Sequence, residues 1–320
     1  MPRNLLRVLL ITAPFLFMAN ASLAVETPMT MGELLARLES AEREGSFRGQ
    51  YTREHGGTID TFDIVRVVVN GMEFERTSRL SGPQREKISV GRDTRCLTKS
   101  NHLLRGHHLN LKVGGAVSIE QSYNFYFLGE DRIAGRLASV IRIEPKDPYR
   151  YGYWLSIDKD TGLIVRSVIT SGKKKAVERA QYVSLESLPD EVDLLELLGE
   201  ESYAELQAQL AEGANQDACD LNVKFGSPWR PAWVPPGFLL TSYIYTEKDG
   251  HMETYSDGLG SFSVFVNENQ NGLPQSLRAQ KGATVIYMAS EQEKQISVVG
   301  EVPLVSAQKV AASISSRREP

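Results

Sequence analysis

From residue 30 the apolar positions recur at helical spacing: Met31, Leu34, Leu35, Leu38 and Ala41 fall on one stripe. Thr30-Met-Gly-Glu33 ahead of them has the form of a capping box, and Gly45 closes the run. The pattern predicts one amphipathic helix whose stripe needs a surface to cover. Beyond it the period shortens to two. Phe62–Val69 and Met72–Leu80 meet at Asn70-Gly71, a strong hairpin signal, and Gln84–Val90 adds a strand. From Leu97 to Leu128 the pattern is irregular and rich in Gly, Asn and His, which predicts a functional loop or one carrying a short helix. Regular pattern returns at Ala138–Ile143. Tyr149, Tyr151, Tyr153, Leu155 and Ile157 then alternate with Arg150, Gly152, Trp154 and Ser156, as in a strand with one buried face. A turn at Asp158–Gly162 leads into Leu163–Thr170, and Ala176–Leu185 follows. Sequential hairpins after one helix imply an antiparallel sheet.

The stretch Asp190–Ser227 differs, with ten acidic residues against one basic residue, Lys224. Leu194, Leu195, Leu198, Leu206 and Leu210 give its first part helical character, and small polar residues collect near Gly213–Asp220. It reads as a helical connector ending in a linker. A second strand set begins near Phe225 with Trp229-Arg-Pro-Ala-Trp-Val-Pro-Pro-Gly237. Strands at Phe238–Thr246, His251–Tyr255 and Leu259–Val266 follow, the last two joined at Asp257-Gly258. Ala283–Ala289, Gln295–Val299 and a helix from about Pro303 to Ile314 complete the chain. The fold class is α+β, a large antiparallel sheet with a helix, then a smaller β-rich domain with a terminal helix.

The first residues bound the setting. Arg3 and Arg7 precede an apolar run from Val8 to Met18, and Ala21-Ser-Leu-Ala24 offers small residues for cleavage. This predicts a secretory signal peptide over 1–24 and a periplasmic protein. No later run approaches the roughly 20 apolar residues of a spanning helix. The organisation read from the chain is therefore signal peptide 1–24, first domain 25–190, connector 191–224 and second domain 225–320. Loss of Arg3 and Arg7 takes the net charge from −4 to −6, which argues against a nucleic-acid partner. The two cysteines, Cys96 and Cys219, lie far apart, and whether they form a disulfide stays open.

Catalytic signatures are absent from the chain. It has no phosphate-binding glycine loop, no dinucleotide fingerprint and no nucleophile elbow. His102, His107 and His108 lack the Cys or carboxylate companions of a metal site and read as loop histidines. The expectation is a binding protein without cofactor or metal, and not an enzyme. Three features carry potential binding. The helix beside the sheet encloses either a filled core or an apolar cavity. From Arg76 to Lys112 nine Lys/Arg face only Glu86 and Asp93, a stretch suited to anionic headgroups. Trp229, Trp233, Tyr255 and Phe262 concentrate aromatic surface in the second domain.

Several of these segments resemble one known family. Gly82-Pro-Gln-Arg-Glu86, Gly129-Glu-Asp-Arg-Ile-Ala134, Tyr149-Arg-Tyr-Gly-Tyr-Trp-Leu155, Asp158-Lys-Asp-Thr-Gly-Leu163, Trp229–Phe238, Tyr255-Ser-Asp-Gly-Leu259, Ser261-Phe-Ser-Val264 and Gly300-Glu-Val-Pro303 fall in the order of the RseB/MucB family. The resemblance implies a half-barrel sheet like that of the LolA and LolB carriers, plugged by helices, with a smaller domain beside it. It implies a periplasmic regulator that binds the periplasmic region of a membrane-spanning anti-sigma factor, shields it from proteolysis and releases it on binding lipid or lipopolysaccharide. On that likeness the lipid-cavity candidates are Leu34, Leu38, Ile64, Phe74, Phe125, Tyr151, Tyr153 and Leu155. Arg79, Arg85 and Arg92 are candidates for anionic headgroups, and Trp229, Trp233, Tyr255, Asp257 and Phe262 for the protein partner. A lipid or lipoprotein carrier of the LolA type is the alternative. The lipid, the affinity and the oligomeric state, including a homo-oligomer, stay open.

Overall fold

The computed structural model describes residues 30–69, 71–93, 119–172, 174–189, 193–213, 228–246, 250–268, 276–291 and 294–316. The expected signal peptide, Cys96, Cys219 and the basic residues beyond 93 in the first stretch lie outside them. The first element is helix α1, Met31–Glu44. Its capping box forms as read: Thr30 Oγ1 accepts from the Glu33 amide at 3.3 Å, and Glu33 Oε2 accepts from the Thr30 amide at 2.8 Å. At the far end the Gly45 amide donates to Ala41 O at 2.9 Å. Leu34, Leu35, Leu38 and Ala41 form the buried stripe.

Nine strands follow: β1 Phe47–His55, β2 Thr58–Val69, β3 Met72–Arg79, β4 Glu86–Asp93, β5 Tyr123–Ile133, β6 Arg136–Pro145, β7 Gly152–Asp158, β8 Ile164–Thr170 and β9 Ala176–Ser187. A 3-10 turn at Ile119–Gln121 precedes β5. All pairs are antiparallel, in the order β4-β3-β2-β1-β9-β8-β7-β6-β5. Two meanders are thus joined through β1 and β9, whose register shifts by a bulge at Gln50/Tyr51. The sheet curls: β5 and β9, four places apart in the order, touch. Residues of β1, β2 and β5–β9 consequently form one core cluster with α1. Tyr153, Leu155 and Ile157 point into it, as their alternation requires.

Two helices, α2 Leu194–Leu198 and α3 Glu200–Gly213, follow the sheet. Asp193 caps α2 through bonds from the Leu195 and Glu196 amides, and Gly199, at φ 80°, separates the two helices. They do not stand free. Leu198 and Leu206 close a second apolar cluster on Val65, Val67 and Phe74, on the sheet face opposite α1.

The remaining elements are β10 Trp229–Pro231, β11 Leu239–Thr246, β12 Gly250–Ser256, β13 Ser261–Glu268, β14 Ser276–Lys281, β15 Thr284–Glu291, β16 Lys294–Gly300, helix α4 Leu304–Ala311 and β17 Ile314–Ser316. Six of the strands form a second sheet in the order β11-β12-β13-β16-β15-β14, and β10 pairs with β17. α4 lies on β15 and β16, and Ala307, Val310 and Ala311 join Phe262, Val264, Val285 and Val298 in its core. Gly300 is required where β16 meets β13, because a Cβ there would lie 2.4 Å from Phe262 Cα.

Candidate functional site

Six of the eight lipid-cavity candidates share the main core. Leu34, Leu38, Ile64, Tyr151, Tyr153 and Leu155 are all buried in it, and Phe125 packs on its margin. Phe74 does not join them. It pairs with Val67, whereas Ile64 pairs with Thr77, so strand alternation puts Phe74 on the opposite face, beneath α2 and α3. The space under α1 is occupied by side chains. It is also pinned: Arg66, wholly buried, donates to Gly45 O at 2.5 Å and to Glu73 Oε2 at 2.8 Å, and its guanidinium lies over Phe47. One cation thus ties the C-terminal end of α1 to the sheet.

The basic candidates divide. Arg79 is engaged within its own domain, paired with Asp60, which also faces His55 Nε2 at 3.3 Å. Burial pushes the Asp60 carboxyl up, but the Arg79 guanidinium and the His55 ring together outweigh it and hold the group below the usual carboxylate range. Arg85 is exposed. Arg92 lies on β4 opposite Glu73, and its side chain is outside the described residues. Arg79→Glu is therefore expected to cost on the order of 2 kcal/mol of stability, and Arg85→Glu less than about 0.5 kcal/mol. Thermal melting of the two variants checks this. Of Arg79 and Arg85, whose side chains are described, Arg85 is the clean probe of headgroup binding.

A buried, densely hydrogen-bonded polar cluster lies between the two sheets. Arg150, 2% exposed, precedes β7 and reaches into the second sheet's loops. Its Nη1 donates to Asp257 Oδ2 at 2.8 Å, its Nη2 donates to Pro236 O, and Asp147 holds the same guanidinium from its own domain. Tyr123 Oη donates to Asp257 Oδ2 at 2.8 Å. Asp257 Oδ1 accepts from the Leu259 and Gly260 amides at 3.0 and 2.8 Å, which shapes the β12–β13 turn around it. Burial pushes the Asp257 carboxyl up, while Arg150 and the two amides pull it back. Burial likewise raises the Tyr123 hydroxyl far above its ordinary value. The Pro235-Pro236-Gly237 corner approaches closely enough that a Cβ on Gly237, at φ 89°, would lie 2.7 Å from Ser122 Oγ.

Further contacts flank this cluster. Trp233 meets Tyr149 edge-on at 4.9 Å, and Lys309 Nζ lies 4.0 Å from the Trp233 ring centroid and 3.1 Å from Tyr149 Oη. Ser306 Oγ donates to Tyr149 O at 2.6 Å. On the other side the Ala283 amide donates to Glu178 Oε2 at 3.2 Å, and Arg53 holds the other oxygen of Glu178 at 2.6 Å. A cleft of about 480 Å³ opens there, lined by His55, Gly57, Val177, Glu178, Gln280 and Gly282 among others. Tyr153, proposed above for a lipid cavity, is buried with its hydroxyl toward Gly260 of the second sheet. Tyr151 Oη accepts from Gln280 Nε2 at 3.4 Å, and burial first, then Glu301 and Glu178, push that hydroxyl up to about 12.

The partner candidates are placed by the same geometry. Tyr255 and Phe262 stack at 5.3 Å inside the second core, and Asp257 is consumed by Arg150 and Tyr123. None of these three presents its side chain to a partner while the sheets are docked. Trp229 and Trp233 are half-buried, the first beneath Lys294 Nζ at 4.0 Å and the second against Tyr149. Arg150, Tyr123, Glu178 and Lys309 were not among the sequence candidates. The signal that existed was indirect: three of the segments that carry the resemblance, around Arg150, Pro236 and Asp257, are the ones that meet here.

Comparison with known proteins matches both halves. The model of the MucB/RseB N-terminal domain covers residues 30–208, and that of the MucB/RseB C-terminal domain covers 224–315. Sigma factor AlgU regulatory protein MucB of Pseudomonas aeruginosa is 31% identical over 295 residues, 88% of this chain and 89% of that protein. Sigma-E factor regulatory protein RseB of Escherichia coli K12 is 25% identical over 319 residues, 95% of each. The crystal structure of MucB in complex with MucA(peri) superposes with a TM-score of 0.66 at 30% identity, covering 91% of this chain and 100% of that one.

Proposed function

The chain belongs to the MucB/RseB family, and from that membership we propose that it is a periplasmic regulator which binds the periplasmic region of a membrane-spanning anti-sigma factor, shields it from proteolysis and gives it up when lipid or lipopolysaccharide binds. The observation that supports the partner-binding part of this reading is the superposition, over 91% of the chain, on a relative solved with MucA(peri) bound. In this reading the first domain, with α2 and α3 packed on it, senses lipid, and the second domain takes the leading part in holding the partner. Lipid would enter the apolar interior under α1. The edge strand β5 offers an approach, because Phe127 and Leu128 are 57% and 44% exposed there. By linkage, lipid releases the partner only if it favours an arrangement that binds the partner less well.

The test is recovery of partner from envelope extract by the immobilised mature chain. A single-pass anti-sigma factor should be retained, and lipopolysaccharide should elute it. Deletion from Phe225 onward should leave a folded first domain with affinity reduced at least about 100-fold, the scale of losing a central hot spot. Retention of outer-membrane lipoproteins instead would favour a carrier. Full affinity in the truncated chain would refute the division of labour.

A further inference from the structure

The second sheet has one side that carries its core and one on which no described element of its own domain lies. α4, β10 and β17 all pack on the core side. On the other side the pairing registers set one row across all six strands: Ile244, Met252, Phe265, Ser297, Met288 and Leu277. None of these residues belongs to the second core. Ile244 and Leu277 are exposed, and the four between them are half-buried. The next row toward the seam holds Thr254, Ser263, Val299 and the exposed Ile286. The Thr254 and Ser263 hydroxyls bond each other at 2.9 Å. Neither row contains a charge. Of the charged side chains described on these strands, Glu253 lies opposite Val264, Arg278 opposite Tyr287 and Lys294 over Trp229, all on the core side. Lys281 shares the outer side, at its corner beside the seam.

A sheet side that faces water carries polar and charged residues, above all Lys, Glu and Arg. Loss of charge together with Phe and Met is the composition of an interface core. We propose that this outer side of the second sheet packs against the same side of a second copy of the chain, about a two-fold axis. Three properties fit a copy better than a foreign protein. A surface that meets itself excludes charge near the axis, because each charge would face its twin. A surface built for a foreign partner gains from charge, which steers the encounter. Twisted sheets stack about 10 Å apart, and the short Ser and Thr side chains between the apolar ones allow that approach. Six strands spaced about 4.8 Å apart give a footprint of about 500 Å² per copy. Both copies together then bury on the order of 1,000 Å², enough for a weak, reversible dimer. Lys281 stays at the rim. The inference goes beyond the regulatory reading above and does not depend on it. The outer side is separate from the seam, so the two domains of each copy stay docked.

Analytical ultracentrifugation of the full mature chain, from about 1 to 500 μM, tests it. The wild type should form a dimer with a dissociation constant on the order of 10 μM. Ile286→Lys and Leu277→Lys, both at exposed positions, should weaken the dimer at least about 30-fold, because each added charge enters the interface twice. Tyr245→Lys, exposed on the core side, should leave it unchanged. Peroxide footprinting of the wild type gives a second readout that needs no variant. Met252 and Met288 should react more slowly as concentration rises, while Met31 on α1 reacts at a constant rate. A chain that stays monomeric throughout overturns the proposal. So does a dimer that Ile286→Lys and Leu277→Lys leave intact, or one in which Met252 and Met288 gain no protection. If Ile286→Lys lowers capture of the anti-sigma factor and leaves the sedimenting mass unchanged, the surface belongs to that partner and the dimer is refuted. Failure to capture an anti-sigma factor with the dimer present would count against the regulatory reading alone.

Discussion

Replacing Arg150 with Met should part the two domains without unfolding either. Arg150 is 2% exposed, and the Asp257 carboxylate it faces is equally enclosed. Removing the cation leaves a buried anion with only Tyr123 and two amides as donors. Breaking one side of a buried ion pair costs about 3–5 kcal/mol, a larger loss than removing any single one of the flanking contacts made by Trp233, Ser306, Lys309 or Ala283. The expected result is a wild-type single melting transition that splits into two, with exchange rising at the seam and little change at Val298. The double variant Arg150→Met, Asp257→Leu should recover much of the loss, because no unpaired charge then stays buried. A single variant that melts like the wild type would show that the cluster contributes little to holding the domains together.

The sequence made some elements plain and hid others for physical reasons. α1 announces itself because cap, stripe and stop are all local, from Thr30 to Gly45. β7 is legible because Tyr153, Leu155 and Ile157 face a core while Trp154 faces water. β1 was missed because its inward face holds Gly49, Arg53 and His55 beside Phe47 and Tyr51, so the inward positions are not uniformly apolar. Gly49 has no room for a side chain, since a Cβ would lie 2.5 Å from Ser184 O. β5 is an edge strand whose unbroken Phe125–Leu128 run erases alternation, and most of it falls in the region read as an irregular loop. β14 is exposed at every position and gives no hydrophobic signal at all. The site was harder still. Asp257 reads as a turn residue because its partners, Tyr123 and Arg150, are more than a hundred positions away. Long-range pairing of polar groups has no period to detect. The aromatic candidates Tyr255 and Phe262 were recognised by composition, which cannot tell a ring in a core from one on a surface.

Whether the interior under α1 is a filled core or a lipid site can be decided at Leu38. It is 0% exposed and belongs to the stripe that packs on Ile64, Leu155 and their neighbours. An acyl chain can enter this space only by taking the place of side chains already there. Leu38→Ala should therefore have two linked effects. Stability should drop by about 3 kcal/mol, the cost of an unfilled apolar void in a close-packed interior. The void should stay dry and accept hydrocarbon, so a short-chain phosphatidylglycerol below its micelle concentration should raise the melting temperature of the variant more than that of the wild type. Arg66 keeps the C-terminal end of α1 anchored at Gly45 in both, so the comparison isolates the apolar stripe. If the variant loses stability but gains no response to lipid, while the wild type responds, then lipid binds elsewhere and the space under α1 is structural. If neither responds and lipopolysaccharide still releases the partner, the signal enters through the exposed basic residues without an acyl chain reaching the core. A larger lipid response in Leu38→Ala would instead make α1 the competitor that lipid has to displace, and would place the energetic threshold for release in the packing of that one helix.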